Sequence, residues 1–205
     1  MKGFVLKLTK AKNEDLIVSI LTQDEHRVYY RFFGARHSIL QLGHLIDFEV
    51  YETYQNFLPQ IRHLSHIGFP WIREPQTLLL WHQFIYAYEK HLKDTTYLDS
   101  FYYLLLQKAV LHLEKQNPKR VICDCYFSLL KEEGRLSLKN ECFICQNPLN
   151  ETVIFIQGLK MTHPQCLHGI PLSKKRIIDA LKRGKTTFLN DEEVSILHHI
   201  ILQGF

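Results

Sequence analysis

Two short ligand pairs impose the tightest constraint on how this chain can fold: Cys142-Phe143-Ile144-Cys145 and His163-Pro164-Gln165-Cys166. Within each pair two residues separate the ligands, so both can reach one ion from a tight turn. Seventeen residues lie between the pairs, inside the spacing of about 15–20 found in four-ligand ribbon sites. Three thiolates and an imidazole are a standard tetrahedral set for structural zinc, and such soft donors disfavour calcium or magnesium. His168 stands near enough to replace His163 as the fourth ligand. A site closed by four protein ligands leaves no position for a reacting water, so the expected role is structural. Val153–Ile156 reads as a strand between the pairs and Asn147-Pro148 as a turn, which outlines a zinc insert over about residues 140–170. The competing reading is of plain buried thiols beside an incidental histidine.

The five cysteines are an odd count, which favours metal binding or burial over a disulfide framework in a reducing compartment. Cys123 and Cys125 fall on a helical segment and read as small structural thiols. Lys7 interrupts the first apolar run too early for the core of a signal peptide, and no stretch reaches the length of a membrane span. A cytoplasmic location is therefore expected. The chain has 205 residues, of which 46% are apolar, enough to bury a core rather than remain disordered. Net charge is +4, which permits a polyanionic partner without demanding one.

The first third reads as β structure. Phe4–Leu8, Leu16–Leu21, Arg27–Phe33, Leu45–Tyr51 and Ile61–Ile67 are short β-prone runs separated by polar turns. Five such strands suggest a small closed barrel. Gly68, Pro70 and Pro75 mark a boundary, placed after residue 73. Residues 74–205 read as a helical domain. Trp81, Phe84, Ile85, Tyr88 and Leu92 share one helical face, as do Leu98, Phe101, Tyr102, Leu105, Ala109 and Leu113. Val121, Ile122, Cys125 and Leu129 form a third stripe, ended by Gly134, and the three helices suggest an antiparallel bundle. Beyond the insert, Ser173 is the expected cap of a helix ending before Gly184. Asn190 with Glu193 has the pattern of a capping box opening the last helix.

Known catalytic motifs do not fit. Gly184-Lys185-Thr186 resembles the end of a phosphate-binding loop, but Asp179 stands where its first glycine is required, and the preceding segment is helical. The patterns of zinc deaminases, of zinc proteases and of the serine elbow are all missing. A non-enzymatic role is the expectation.

Two basic clusters are candidate nucleic-acid contacts. In the barrel segment, Lys2, Lys7, Lys10, Lys12, Arg27, Arg31 and Arg36 stand among Phe4, Tyr29, Tyr30 and Phe33. Cations that follow phosphates and rings that stack bases are what a single-strand groove needs. The same segment carries Glu14, Asp15, Asp24, Glu25, Asp47 and Glu49, so the charge cancels unless the fold segregates it. In the tail, Lys174, Lys175, Arg176, Lys182, Arg183 and Lys185 face only Asp179.

The order of these parts resembles the bacterial recombination-mediator family RecO. The resemblance is carried by Gly3-Phe4-Val5-Leu6, by Asn13 to Thr22, by Gly34-Ala35-Arg36-His37-Ser38, and by Gly134-Arg135-Leu136 with Glu141 to Cys145. It implies an α+β chain with an N-terminal five-stranded OB-fold barrel over residues 1–73, then an α-helical bundle domain with a zinc-binding insert. It also implies binding to single- and double-stranded DNA, strand annealing, and loading of RecA onto coated single strands. RecR and the acidic C-terminal tail of the single-strand-binding protein are the implied partners. Two other readings stay open at this point. One is a zinc-stabilised protein–protein interaction module with Trp71, Trp81 and several tyrosines in an exposed patch. The other is an RNA-binding barrel of the same fold.

Overall fold

The computed structural model describes residues 1–36, 39–52, 57–95 and 97–205. His37 and Ser38, part of the resemblance above, lie outside the described residues. The chain divides into two compact units, residues 1–115 and 116–205.

In the first unit, β1 (Lys2–Lys10), β2 (Leu16–Leu21), β3 (His26–Arg31), β4 (Leu45–Tyr51) and β5 (Gln60–Ile67) close into a barrel of order β1-β2-β3-β5-β4. All five expected strands are present. All neighbours pair antiparallel except β3 and β5, which meet in parallel at Tyr30 and Gln60. This is the connectivity of an OB-fold. Val5, Val18, Ile20, Tyr29, Ile46, Phe48 and Ile61 fill the interior. Period-two alternation puts Val5 inside the barrel and Phe4 outside it, yet both are fully buried.

The cover over Phe4 comes from the helices that follow. A 3-10 turn, Pro70–Arg73, leads into α1 (Pro75–His91), and α2 (Ser100–Leu113) follows. Phe4 lies 6.4 Å from the Trp81 ring and 5.5 Å from that of Tyr103. Phe69, Trp71 and Trp81 continue the cluster at 5.2 and 5.8 Å. Aromatic rings in such edge and offset contacts add to the area they bury. Helices α1 and α2 therefore share a core with the barrel, and the compact unit runs well past residue 73. Trp71 and Trp81 are buried, with their N–H groups given to the carbonyls of Val110 and Gly43. The exposed tryptophan patch of the interaction-module reading does not exist.

The second unit begins with α3 (Pro118–Glu132), opened by Pro118 and closed by Gly134 at φ +65°. The third helical stripe thus lies in a different unit from the first two, and α3 packs against α5 (Asp191–Leu202). Val121, Ile122, Cys123, Cys125, Tyr126, Phe127, Leu129 and Leu130 are all buried, so α3 is enclosed on more than one face. Cys123 and Cys125 are buried thiols, and burial holds the Cys123 thiol well above its ordinary pKa.

A three-stranded sheet, order β7-β6-β8, joins β6 (Thr152–Ile156), β7 (Lys160–Thr162) and β8 (Leu172–Ser173). Helix α4 (Lys174–Arg183) ends on Gly184 in the left-handed region. Ser173 occupies its N-cap position but makes no side-chain cap bond. The Asn190–Glu193 capping box of α5 is formed in both directions. Among the described residues no helix is long and apolar enough to cross a membrane.

Candidate metal centre and nucleic-acid interface

The two ligand pairs meet. One ligand atom each from Cys142, Cys145, His163 and Cys166 lies within 4.8 Å of every other. The first pair sits on a turn over Phe143–Cys145, where the Gln146 amide returns to the Cys142 carbonyl at 2.9 Å. Gln146 itself is at φ +63°. The expected turn at Asn147-Pro148 is displaced by this arrangement. Asn147 instead accepts from the Cys142 amide, and Pro148 bridges to Glu141. The second pair follows β7 directly. The Phe143 amide donates to the Met161 carbonyl at 2.9 Å and ties the two turns together.

Donor chemistry and electrostatics fit a zinc ion. His163 directs Nδ1 at the sulfurs, 3.4 Å from Cys145 and 3.9 Å from Cys166. Its Nε2 donates to the Pro148 carbonyl at 2.9 Å, the orienting bond that ligand imidazoles use. His163 is thus the histidine that joins the cluster; His168 is not part of it. Burial opposes ionisation of Cys142, but the amides of Cys145, His163 and Ile144 outweigh it and bring its thiol down to about 6. Cys166 is pushed up to about 11, first by its bond to Cys145 and then by burial. Crowded thiols that resist a second negative charge are relieved by a divalent cation.

The barrel surface sorts its cations into two groups. Register aligns Lys10, Leu16 and Arg31 in one row across β1, β2 and β3. Buried Asp15 accepts from the Phe33 amide and the Tyr30 hydroxyl. It thereby holds the turn carrying Lys12 against the turn carrying Arg36. Arg36 lies over the Phe33 ring at 4.6 Å and is paired with Glu14. Arg31 gives one N–H to the Ile61 carbonyl at 3.0 Å. It opens on a cleft between β3 and β5 lined by Phe32, Gln60, Arg62 and His63. Two other cations are drawn away. Lys7 pairs with buried Glu89 of α1 at 3.1 Å, and Arg27 forms a two-bond pair with Glu52 at 2.9 and 3.0 Å.

Residues 1–72, of 205, match the family model described as RecO N terminal. The barrel is similar to the N-terminal domain of RecO. No curated protein matches the chain.

On this barrel the structure adds residues that the sequence pattern alone did not single out. Arg62 lies over the Tyr51 ring at 4.4 Å and lines the same cleft as Arg31, and Phe32 is half exposed there. The signal was available, because alternation along β5 sends Ile61 inward and Arg62 outward. Outside the barrel, the tail cluster is also divided. Lys174 bonds to Asn140 and to the Leu149 carbonyl, and Arg176 to Glu193 and the Phe188 carbonyl. Lys175, Lys182 and Arg183 are exposed, with Arg183 over the exposed Phe188 ring at 4.5 Å.

Proposed function

We propose that this chain is a cytoplasmic RecO-like DNA-repair protein. In this reading it binds single- and double-stranded DNA, promotes annealing of complementary strands, and helps load RecA onto coated single strands. The RecO N-terminal match over the barrel carries the reading. RecR and the acidic tail of the single-strand-binding protein are its partners in this account. Zinc held by Cys142, Cys145, His163 and Cys166 is a structural ion, and no bond is made or broken in the protein's action.

The DNA path on the barrel runs over Lys10, Lys12, Arg31 and Arg36, and is extended by Arg62 and the rings of Phe32, Phe33 and Tyr51. Lys7, whose partner Glu89 is buried, and Arg27, held by Glu52 through two bonds, contribute less, whereas Arg36 is paired with an exposed Glu14 and stays over the Phe33 ring. The exposed cations of α4, chiefly Lys175, Lys182 and Arg183, form a second contact. Cations on two surfaces lower the repulsion between two phosphate backbones, and each phosphate contact releases counterions.

Binding of single-stranded DNA, duplex DNA and RNA at two salt concentrations tests the proposal. Wild-type protein should bind single-stranded DNA with a marked salt dependence. Arg31→Glu with Arg62→Glu should weaken that binding at least tenfold and flatten its salt slope. A clear RNA preference would move the barrel to the RNA-binding reading. Absence of salt-sensitive binding to any nucleic acid would favour a protein-interaction module.

A further inference from the structure

We propose that the metal-bearing turn carries its own single-strand subsite, in which a base stacks on Phe143 and Lys139 and Lys160 take the flanking phosphates. This rests on the DNA-binding reading above and adds a separate surface to it.

Phe143 stands between two of the metal ligands, so its backbone is fixed twice, by the ligand turn and by its bond to Met161. The residue is nevertheless 55% exposed. The turn does not need that ring for packing. Lys160 holds its ammonium over the ring at 4.2 Å, and both line a cleft of 340 Å³ with Lys139, Glu141 and Gln146. Neither lysine is paired with a carboxylate among the described residues, in contrast to Lys7, Arg27 and Arg36. Glu141 is the single acid of the cleft among the described residues.

The chemistry selects the ligand. A rigid exposed ring offers a stacking face to any base, and unpaired cations beside it offer charge to the backbone on either side. An amide such as that of Gln146 can donate to and accept from a base edge. A base within a duplex has both faces covered by its neighbours, so the subsite takes single strands. The rival role for the lysines is to offset the negative charge of three thiolates.

The test uses the zinc-loaded full chain and an oligothymidylate followed by anisotropy. Phe143→Ala should weaken single-strand binding by roughly tenfold, leave duplex binding unchanged and keep the metal content. Lys139→Ala with Lys160→Ala should reduce the magnitude of the salt slope by about 1 to 1.5, two contacts at about 0.7 each. Phe143→Trp should retain affinity and place an exposed indole whose emission the oligonucleotide quenches. If wild-type protein binds no single strand, the DNA reading and this subsite fall together. If wild-type binding is lost on the barrel variants but is untouched by Phe143→Ala, with no quenching in Phe143→Trp, only the subsite falls. Loss of metal without loss of affinity in the lysine variant would also overturn it, by giving the lysines the charge-offsetting role.

Discussion

The indole N–H of Trp81 donates to the carbonyl of Gly43 across 3.0 Å, and Gly43 sits at φ +74°. This bond fixes α1 to the loop that enters β4, whose own amide at Gly43 bonds to Val5 at 2.7 Å. A Cβ on Gly43 would lie 2.3 Å from that indole nitrogen. Gly43→Ala therefore meets both a left-handed backbone and a collision with a buried ring. It should cost about 2–4 kcal/mol in urea unfolding. Trp81→Phe, which leaves the carbonyl unpaired, should cost about 1–3 kcal/mol. An unchanged unfolding midpoint in Gly43→Ala would show that the loop gives way freely.

Gly184-Lys185-Thr186 has a structural use. One carboxylate oxygen of Asp124 on α3 accepts from the Thr186 amide at 2.8 Å and its hydroxyl at 2.9 Å. The other accepts from Lys185 at 3.2 Å. Arg120, one turn earlier, donates to the carbonyls of Thr186 and Leu189 at 2.7 and 2.9 Å. Asp124→Ala strands two buried donors and should cost about 2–4 kcal/mol. Lys185→Ala removes only a half-exposed ion pair and should cost less than about 1 kcal/mol. Amide exchange at Thr186 gives a local check: it should accelerate in the Asp124 variant and hold in the Lys185 variant.

What could be read from the chain follows the range of the interactions. Strands and helices follow from local alternation and from caps such as Asn190–Glu193, and all the main ones appear where those signals put them. The metal cluster was legible because each ligand pair is local and a short β hairpin joins them. Choosing His163 over His168 needed the Pro148 carbonyl, which only the folded turn supplies. The extent of the first unit was hidden, because it depends on Phe4 meeting Trp81 and Tyr103, far away in sequence. Charge segregation was hidden for the same reason. Nothing near Arg27 or Lys7 announces Glu52 or Glu89 as partners. Trp71 and Trp81 looked available for a surface because a tryptophan stripe has the same spacing whether solvent or a barrel covers it.

Metal removal should be felt locally. Wild-type protein is expected to carry about one zinc per chain, and Cys142→Ser should lose most of it. Because ligand binding and local folding are one process here, amide exchange across residues 141–166 should rise in that variant and on chelation. His163→Cys should keep the metal, since four thiolates are also a structural set. His168→Ala should change nothing in metal content. Zinc retained in Cys142→Ser but lost in His168→Ala would place the ion on a different ligand set.

Acid should weaken the first unit through His44. This side chain is buried, and neither ring nitrogen has a hydrogen-bond partner among the described residues. The ring of His66 lies 4.4 Å away. Burial first, then the neighbouring His66 and His82, push the His44 pKa down to about 4 from an ordinary value of 6.5. The folded chain thus refuses a proton that the unfolded chain accepts. Stability from this group is complete above pH 6.5, falls as the pH drops toward about 4, and falls no further below that. The loss is about 1–3 kcal/mol. His198, lowered to about 4 by burial and then by Lys119 and His199, should act in the same direction in the second unit. Unfolding followed by the fluorescence of Trp71 and Trp81 reports the first unit without interference from acid release of zinc. Wild-type midpoints should fall between pH 7 and pH 4.5, and His44→Leu should flatten that fall. An equal fall in the variant would assign the acid sensitivity to other groups, with buried His26, whose pKa is also lowered by burial, the next to replace.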